Sequence, residues 1–116
     1  MTVERSPLAV CVFRSTRTID AEDDYADWLE RMLQRIESWP GYLSHESFRD
    51  TTSRRGVTIA YFTDMAALES WGADTDHRRA QALGRSSFYE DYSIEVATIV
   101  RQVRWSSPGA GSVEPS

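Results

Sequence analysis

Between positions 71 and 92 the chain collects Trp71, His77, Arg85, Phe88, Tyr89 and Tyr92, its densest group of polar and aromatic side chains. An imidazole with an unperturbed pKa of about 6.5 can serve as general base, hydrogen-bond donor or metal ligand near neutrality, which makes His77 the first candidate for chemistry. The same histidine could instead sit at a helix N-terminus, bonded to Asp74 or Asp76, and the sequence leaves both readings open. Arg85 follows Gly84, where its planar fork could cap helix carbonyls or hold an anionic oxygen. Trp71 and Phe88 offer flat walls for a planar ring. Tyr61, Tyr89 and Tyr92 can bring hydroxyls to an apolar pocket, although each of these aromatics could equally fill the core. On a helix beginning near Asp76, the residues His77, Ala80, Gln81 and Gly84 share one side, and their mostly small size leaves room for a cavity beneath it. The second histidine, His45, neighbours Glu46 on a strand, where alternation puts the two on opposite faces. It reads as structural or solvent-facing.

Several chemistries lack their residues. The chain has no paired histidines at helical spacing, no GxSxG, no phosphate-cradling glycine loop and no CxxC, so ordinary hydrolase, kinase and zinc-site mechanisms are unsupported. Cys11 is the only cysteine, which rules out an intramolecular disulfide and fits a cytoplasmic location. All 13 basic residues are arginine, so no Schiff base or lysine general base can form. A net charge of -5 without any basic run argues against a nucleic-acid partner. No apolar run approaches the roughly 20 residues of a membrane span, and none is expected.

The elements that must position these residues can be read from periodicity. At 116 residues there is room for one core, and one domain is expected over residues 1–105, with a Gly/Pro/Ser-rich, disordered tail over 106–116. Residues 8–14 predict a first strand. Asp20 and Asp23 then open a helix carrying Tyr25, Trp28, Leu29, Met32, Ile36 and Trp39 on one stripe, which Pro40 and Gly41 end. Residues 42–49 and 56–62 predict two strands of a hairpin. Asp64 caps a second helix with Met65, Leu68 and Trp71 on one side, broken around residues 72–74 and resuming toward Ser87; residues 93–103 predict the last strand. The order β-α-β-β-α-β predicts an α+β, ferredoxin-like fold with a four-stranded antiparallel sheet and helices on one face. Strands 1, 3 and 4 are apolar on both faces, and two helices cover only one. The second face therefore predicts a homodimer formed by packing sheet on sheet.

The end of strand 1 at Phe13 and Arg14, the PGYLSHESFRD junction, the Tyr61 strand before Asp64, and above all the spacing of Trp71, His77, Gly84, Arg85, Tyr89 and Tyr92 resemble the antibiotic biosynthesis monooxygenase family of dimeric α/β barrels, over residues 8–105. The resemblance implies a ligand cavity between sheet and helices in each subunit of a homodimer. It also implies one of two activities: oxidation of aromatic polyketides by O2 without a cofactor, or binding and degradation of heme. In both branches an asparagine works beside a tryptophan, and in the heme branch an iron-ligating histidine follows that tryptophan by about ten positions. This chain has no asparagine and carries Gln81 at the latter place, so Trp71 alone carries over. The expected function is a cofactor-independent monooxygenase of secondary metabolism acting with O2 on a small aromatic or polyketide-like substrate. Catalytic roles would fall to His77, Trp71 and Arg85, and substrate contacts to Tyr61, Gln81, Phe88, Tyr89 and Tyr92. The alternatives are a heme protein ligated by His77 or His45 and a non-catalytic domain that binds a small ligand.

Overall fold

The structure, a computed structural model, describes residues 8–19, 22–74, 82 and 88–108. Along the chain run β1 (Leu8–Arg17), α1 (Glu22–Glu37), β2 (Tyr42–Arg49), β3 (Arg55–Phe62), α2 (Met65–Ala73) and β4 (Tyr89–Ile99). The strands form one antiparallel sheet in the order β2-β3-β1-β4. This is the expected ferredoxin-like arrangement: β1 and β3 lie at the centre, and each crossover passes over one neighbouring strand.

Strand alternation sends Ala9, Cys11 and Phe13 of β1 and Ala60 and Phe62 of β3 toward the helices. Ala9 and Phe62 are wholly buried there. They pack with Met32, Leu33 and Ile36 of α1 and with Leu68 and Trp71 of α2. A second cluster joins Phe88 and Tyr89 to Phe13, Trp28, Leu29 and Tyr92. From Trp28 to Ile36, the apolar stripe read along α1 is thus its inward face.

The helix termini follow local rules. After α1 the chain turns through Pro40 and Gly41, with the Tyr42 amide donating to the Trp39 carbonyl at 3.0 Å. Gly41 has φ +90°, and a Cβ built on it would lie 2.4 Å from the Ala67 Cβ. Both the left-handed backbone and the approach of α2 demand glycine at this position. Asp64 caps α2 by accepting from the Ala67 amide at 2.8 Å. α2 runs through Gly72 to Ala73 and ends at Asp74, inside the interruption expected at 72–74, and the segment expected to resume after it lies outside the described residues except for position 82. One helical glycine costs only about 1 kcal/mol relative to alanine, and packing outweighs that.

The last strand also departs from expectation. It spans Tyr89–Ile99 rather than residues 93–103. Two causes are visible. β1 continues past Arg14 to Arg17, because Ser15 and Arg17 are buried polar residues and not a strand stop, and this gives Tyr89 and Tyr92 partners at Arg17 and Ser15. At the other end Ile99 pairs with Leu8, the first residue of β1, so the ladder stops there. The end of β1 is pinned as well: the Arg17 amide donates to the Arg54 carbonyl at 2.9 Å, and the Arg54 guanidinium donates back to the Arg17 carbonyl and reaches Glu90 at 2.9 Å.

The outer sheet face carries Val10, Val12, Val57, Ile59, Tyr61, Ala97 and Ile99, by the register of β1 with β3 and β4. No described helix covers it. Residues 109–116, most of the expected tail, lie outside the described residues.

Candidate active site

Between α1, α2 and the inner sheet face lies a cavity of about 180 Å³. Its floor is Cys11 and Phe13 of β1 with Thr58, Ala60 and Phe62 of β3. One wall is the α1 stripe from Trp28 to Ile36, and the other is Leu68, Trp71 and Gly72 of α2. Tyr89, Tyr92, Ile94 and Val96 of β4 close the side. No Asp, Glu, Arg or His is among these described lining residues. The polar groups on this lining are hydroxyls, indole N–H groups and a thiol, a set that suits an uncharged aromatic molecule.

The aromatic walls are held by edge-on packing. Trp71 is 7% exposed and meets Trp39 at 5.4 Å between ring centroids and 63° between planes. Tyr89 and Tyr92 sit 5.4 and 5.5 Å from Phe13, and 5.8 Å from each other. Trp28 stands 5.9 Å from Tyr89. The two helices beside the cavity are joined by an ion pair with two hydrogen bonds, Arg35 Nε to Asp74 Oδ2 at 3.0 Å and Arg35 Nη2 to Asp74 Oδ1 at 2.8 Å. Asp74, a candidate partner for His77 in the sequence, is therefore engaged by Arg35. Burial pushes the Cys11 thiol above its ordinary pKa, so it faces the cavity protonated near neutrality.

The structure brings Trp71, Tyr89 and Tyr92 together on the cavity. Phe88 is buried behind it, against Trp28 at 5.3 Å, and does not line it. Tyr61 pairs with Val10 on the outer sheet face, away from the cavity. His77, Gln81 and Arg85 lie outside the described residues. Cys11, Phe13, Trp28 and Thr58 line the site without having been singled out for it. Their only sequence signals were the α1 stripe and the β1 and β3 alternation, which mark an inner face without saying where that face is hollow.

His45 does not line the cavity; its Nδ1 lies 2.6 Å from the Tyr42 hydroxyl. Burial, and then the Glu37 charge, raise the Tyr42 pKa, so the phenol keeps its proton near neutrality; the histidine tautomer sets which of the two donates. The described residues do not fit heme. None that lines the cavity is a histidine, the one thiol there is held protonated, and about 180 Å³ falls below the roughly 300 Å³ of an ordinary ligand pocket. Among the described residues no three His, Cys, Asp or Glu side chains could hold a metal ion, and no helix is long and apolar enough to cross a membrane. A larger hollow of about 780 Å³ lies at the hairpin end of the sheet, lined by Arg14, Arg49 and Arg55 with Asp50 and Asp91. It is open to solvent and mixes both signs of charge, so the smaller cavity is the better candidate despite its size.

Known proteins share this architecture. SnoaB, a cofactor-independent oxygenase from Streptomyces nogalater, superposes with a TM-score of 0.69 at 18% identity, over 89% of this chain and 99% of that one. Rv0793 from Mycobacterium tuberculosis does so with a TM-score of 0.71 at 16% identity, over 85% and 100%. In sequence, the uncharacterized protein YqjZ of Bacillus subtilis is 34% identical over 96 residues, 83% of this chain and 82% of the relative. The profile of the antibiotic biosynthesis monooxygenase family matches residues 9–83, a span that runs from β1 past the Trp71 wall of the cavity. The chain belongs to the antibiotic biosynthesis monooxygenase family.

Proposed function

We propose that the inner cavity is the active site of a cofactor-independent monooxygenase that oxidises a small aromatic or polyketide-like substrate with O2, in the cytoplasm and within secondary metabolism. The observation that carries this reading is the lining: aromatic walls, hydroxyls and no described charge. An electron-rich ring would lie between Trp71 and Phe13, with the Tyr89 and Tyr92 hydroxyls at hand for a ring oxygen. An apolar wall excludes water and strengthens each remaining hydrogen bond to a phenolate. His77 is the proposed base, Arg85 the proposed partner of the anion and Gln81 a proposed substrate contact. The substrate supplies the electrons: a ring methylene becomes a carbonyl with one oxygen atom of O2, and the other leaves as water.

The same reading includes a homodimer joined through the outer sheet face. A bare apolar sheet face of this kind is most simply covered by its own copy. Oxygen uptake by purified, dialysed protein with electron-rich phenols tests the activity. The expected outcome is substrate-dependent uptake that falls by about 10²- to 10⁴-fold in His77→Ala, the usual share of a general base. Saturable binding without any uptake would leave a ligand-binding domain and remove the enzyme.

A further inference from the structure

Gly72 lies on α2 in an unusual position. Leu68 and Gly72 are one turn apart on the same face of the helix, and both line the cavity. Leu68 is buried, as that face requires. At Gly72 the face carries no side chain, and a Cβ built there meets no described atom within 4 Å. Glycine inside a helix costs stability through backbone entropy, and two structural reasons for bearing that cost are a close approach of another chain segment and a left-handed backbone. Gly41 shows both. Gly72 shows neither among the described residues: its backbone is α-helical and no described atom lies above it.

We infer that Gly72 is a specificity-determining gap, left at the exposed mouth of the cavity to admit an uncharged aromatic ligand of one or two fused rings. The inference rests on the reading of the inner cavity as the ligand site. Ligand size follows from the volume: an apolar cavity of about 150 Å³ is known to hold benzene, and this one is about 180 Å³. Ligand charge follows from the wall, where no described ionic side chain could compensate a buried carboxylate. A side chain at position 72 would stand on the cavity-lining face of α2, one turn from Leu68.

The test is a graded series, Gly72→Ala, Gly72→Leu and Gly72→Phe, titrated calorimetrically and by stopped-flow tryptophan quenching with indole, 2-naphthol, anthrone and 2-naphthoate. Wild type is expected to bind indole and 2-naphthol saturably and anthrone and 2-naphthoate at least about tenfold more weakly. Association of 2-naphthol is expected to slow along the series, by about tenfold or more in Gly72→Phe. The melting temperature of Gly72→Ala should rise, because no described contact opposes the better helix former. Leucine carries the test should the phenylalanine variant fail to fold. A wild-type association rate in both large variants overturns the gap and leaves the cavity reading standing. Anthrone or 2-naphthoate bound as tightly as 2-naphthol overturns the size or charge class. No saturable binding to wild type by any of the four overturns the cavity as a ligand site, and the inference with it.

Discussion

Trp71 serves two neighbours at once, the core through Trp39 and the cavity through its other side. Cys11 is placed likewise, on the central strand and on the cavity floor. Its raised pKa makes a definite prediction. Alkylation of the native protein by iodoacetamide near pH 7.5, followed by mass spectrometry, should run at least about tenfold slower than for free cysteine and recover in denaturant. Rapid native labelling would contradict the buried, protonated thiol. A folded pKa above the unfolded value also fixes a sign: the thiol's contribution is complete below the unfolded pKa of about 8.5 and is lost as pH rises through the folded value. Thermal stability should therefore decline on the alkaline side, and less so in Cys11→Ala. Among single residues, Trp71, Tyr89 and Tyr92 were legible in the sequence because they fall in one short stretch. Cys11, Phe13 and Trp28 were not, because only the fold brings them to the same hollow.

At the scale of elements, the α1–β2 junction is the tightest constraint. Gly41→Ala puts a methyl group into Ala67 and forces φ +90° on a residue with a Cβ, so a loss of about 1–3 kcal/mol is expected, measured by urea denaturation. A variant as stable as wild type would mean that α2 can retreat from the turn. The bounds of β2 and the capping of α2 by Asp64 were readable because each rests on local chemistry: a turn residue, a capping carboxylate, a run of extended residues. The extent of β4 was not. Whether Tyr89 joins a strand depends on β1 reaching Arg17, 72 positions earlier, and on the Phe13 ring it packs against. The interruption expected around Gly72 to Asp74 falls where α2 ends, at Asp74. Gly72 itself stays helical, because α2 is held by Leu68 and Trp71 below and by the Arg35–Asp74 pair at its end.

For the whole molecule, the outer face governs association. Val12 and Ile59 pair at its centre, flanked by Val10 and Tyr61, while Arg14 and Glu95 form an exposed ion pair at 2.5 Å nearby. Light scattering at micromolar concentration is expected to give twice the chain mass, and Val12→Glu should shift the protein toward monomer without touching the inner cavity. A monomeric wild type would remove the proposed dimer. The apolar second face was legible from sequence because it needs only two-residue alternation.

The cavity draws its lining from all but one of the six elements, beginning at Cys11 and ending at Val96. No fragment much shorter than that span contains its wall, so the pocket cannot exist before the first and last strands have met across the sheet. Occupancy and cooperative folding are thereby one event. A ligand in the hollow ties the two ends of the chain together, and its binding free energy adds to global unfolding instead of to one loop. Amide exchange should then slow as much at Ala9, outside the lining, as at the residues a ligand touches.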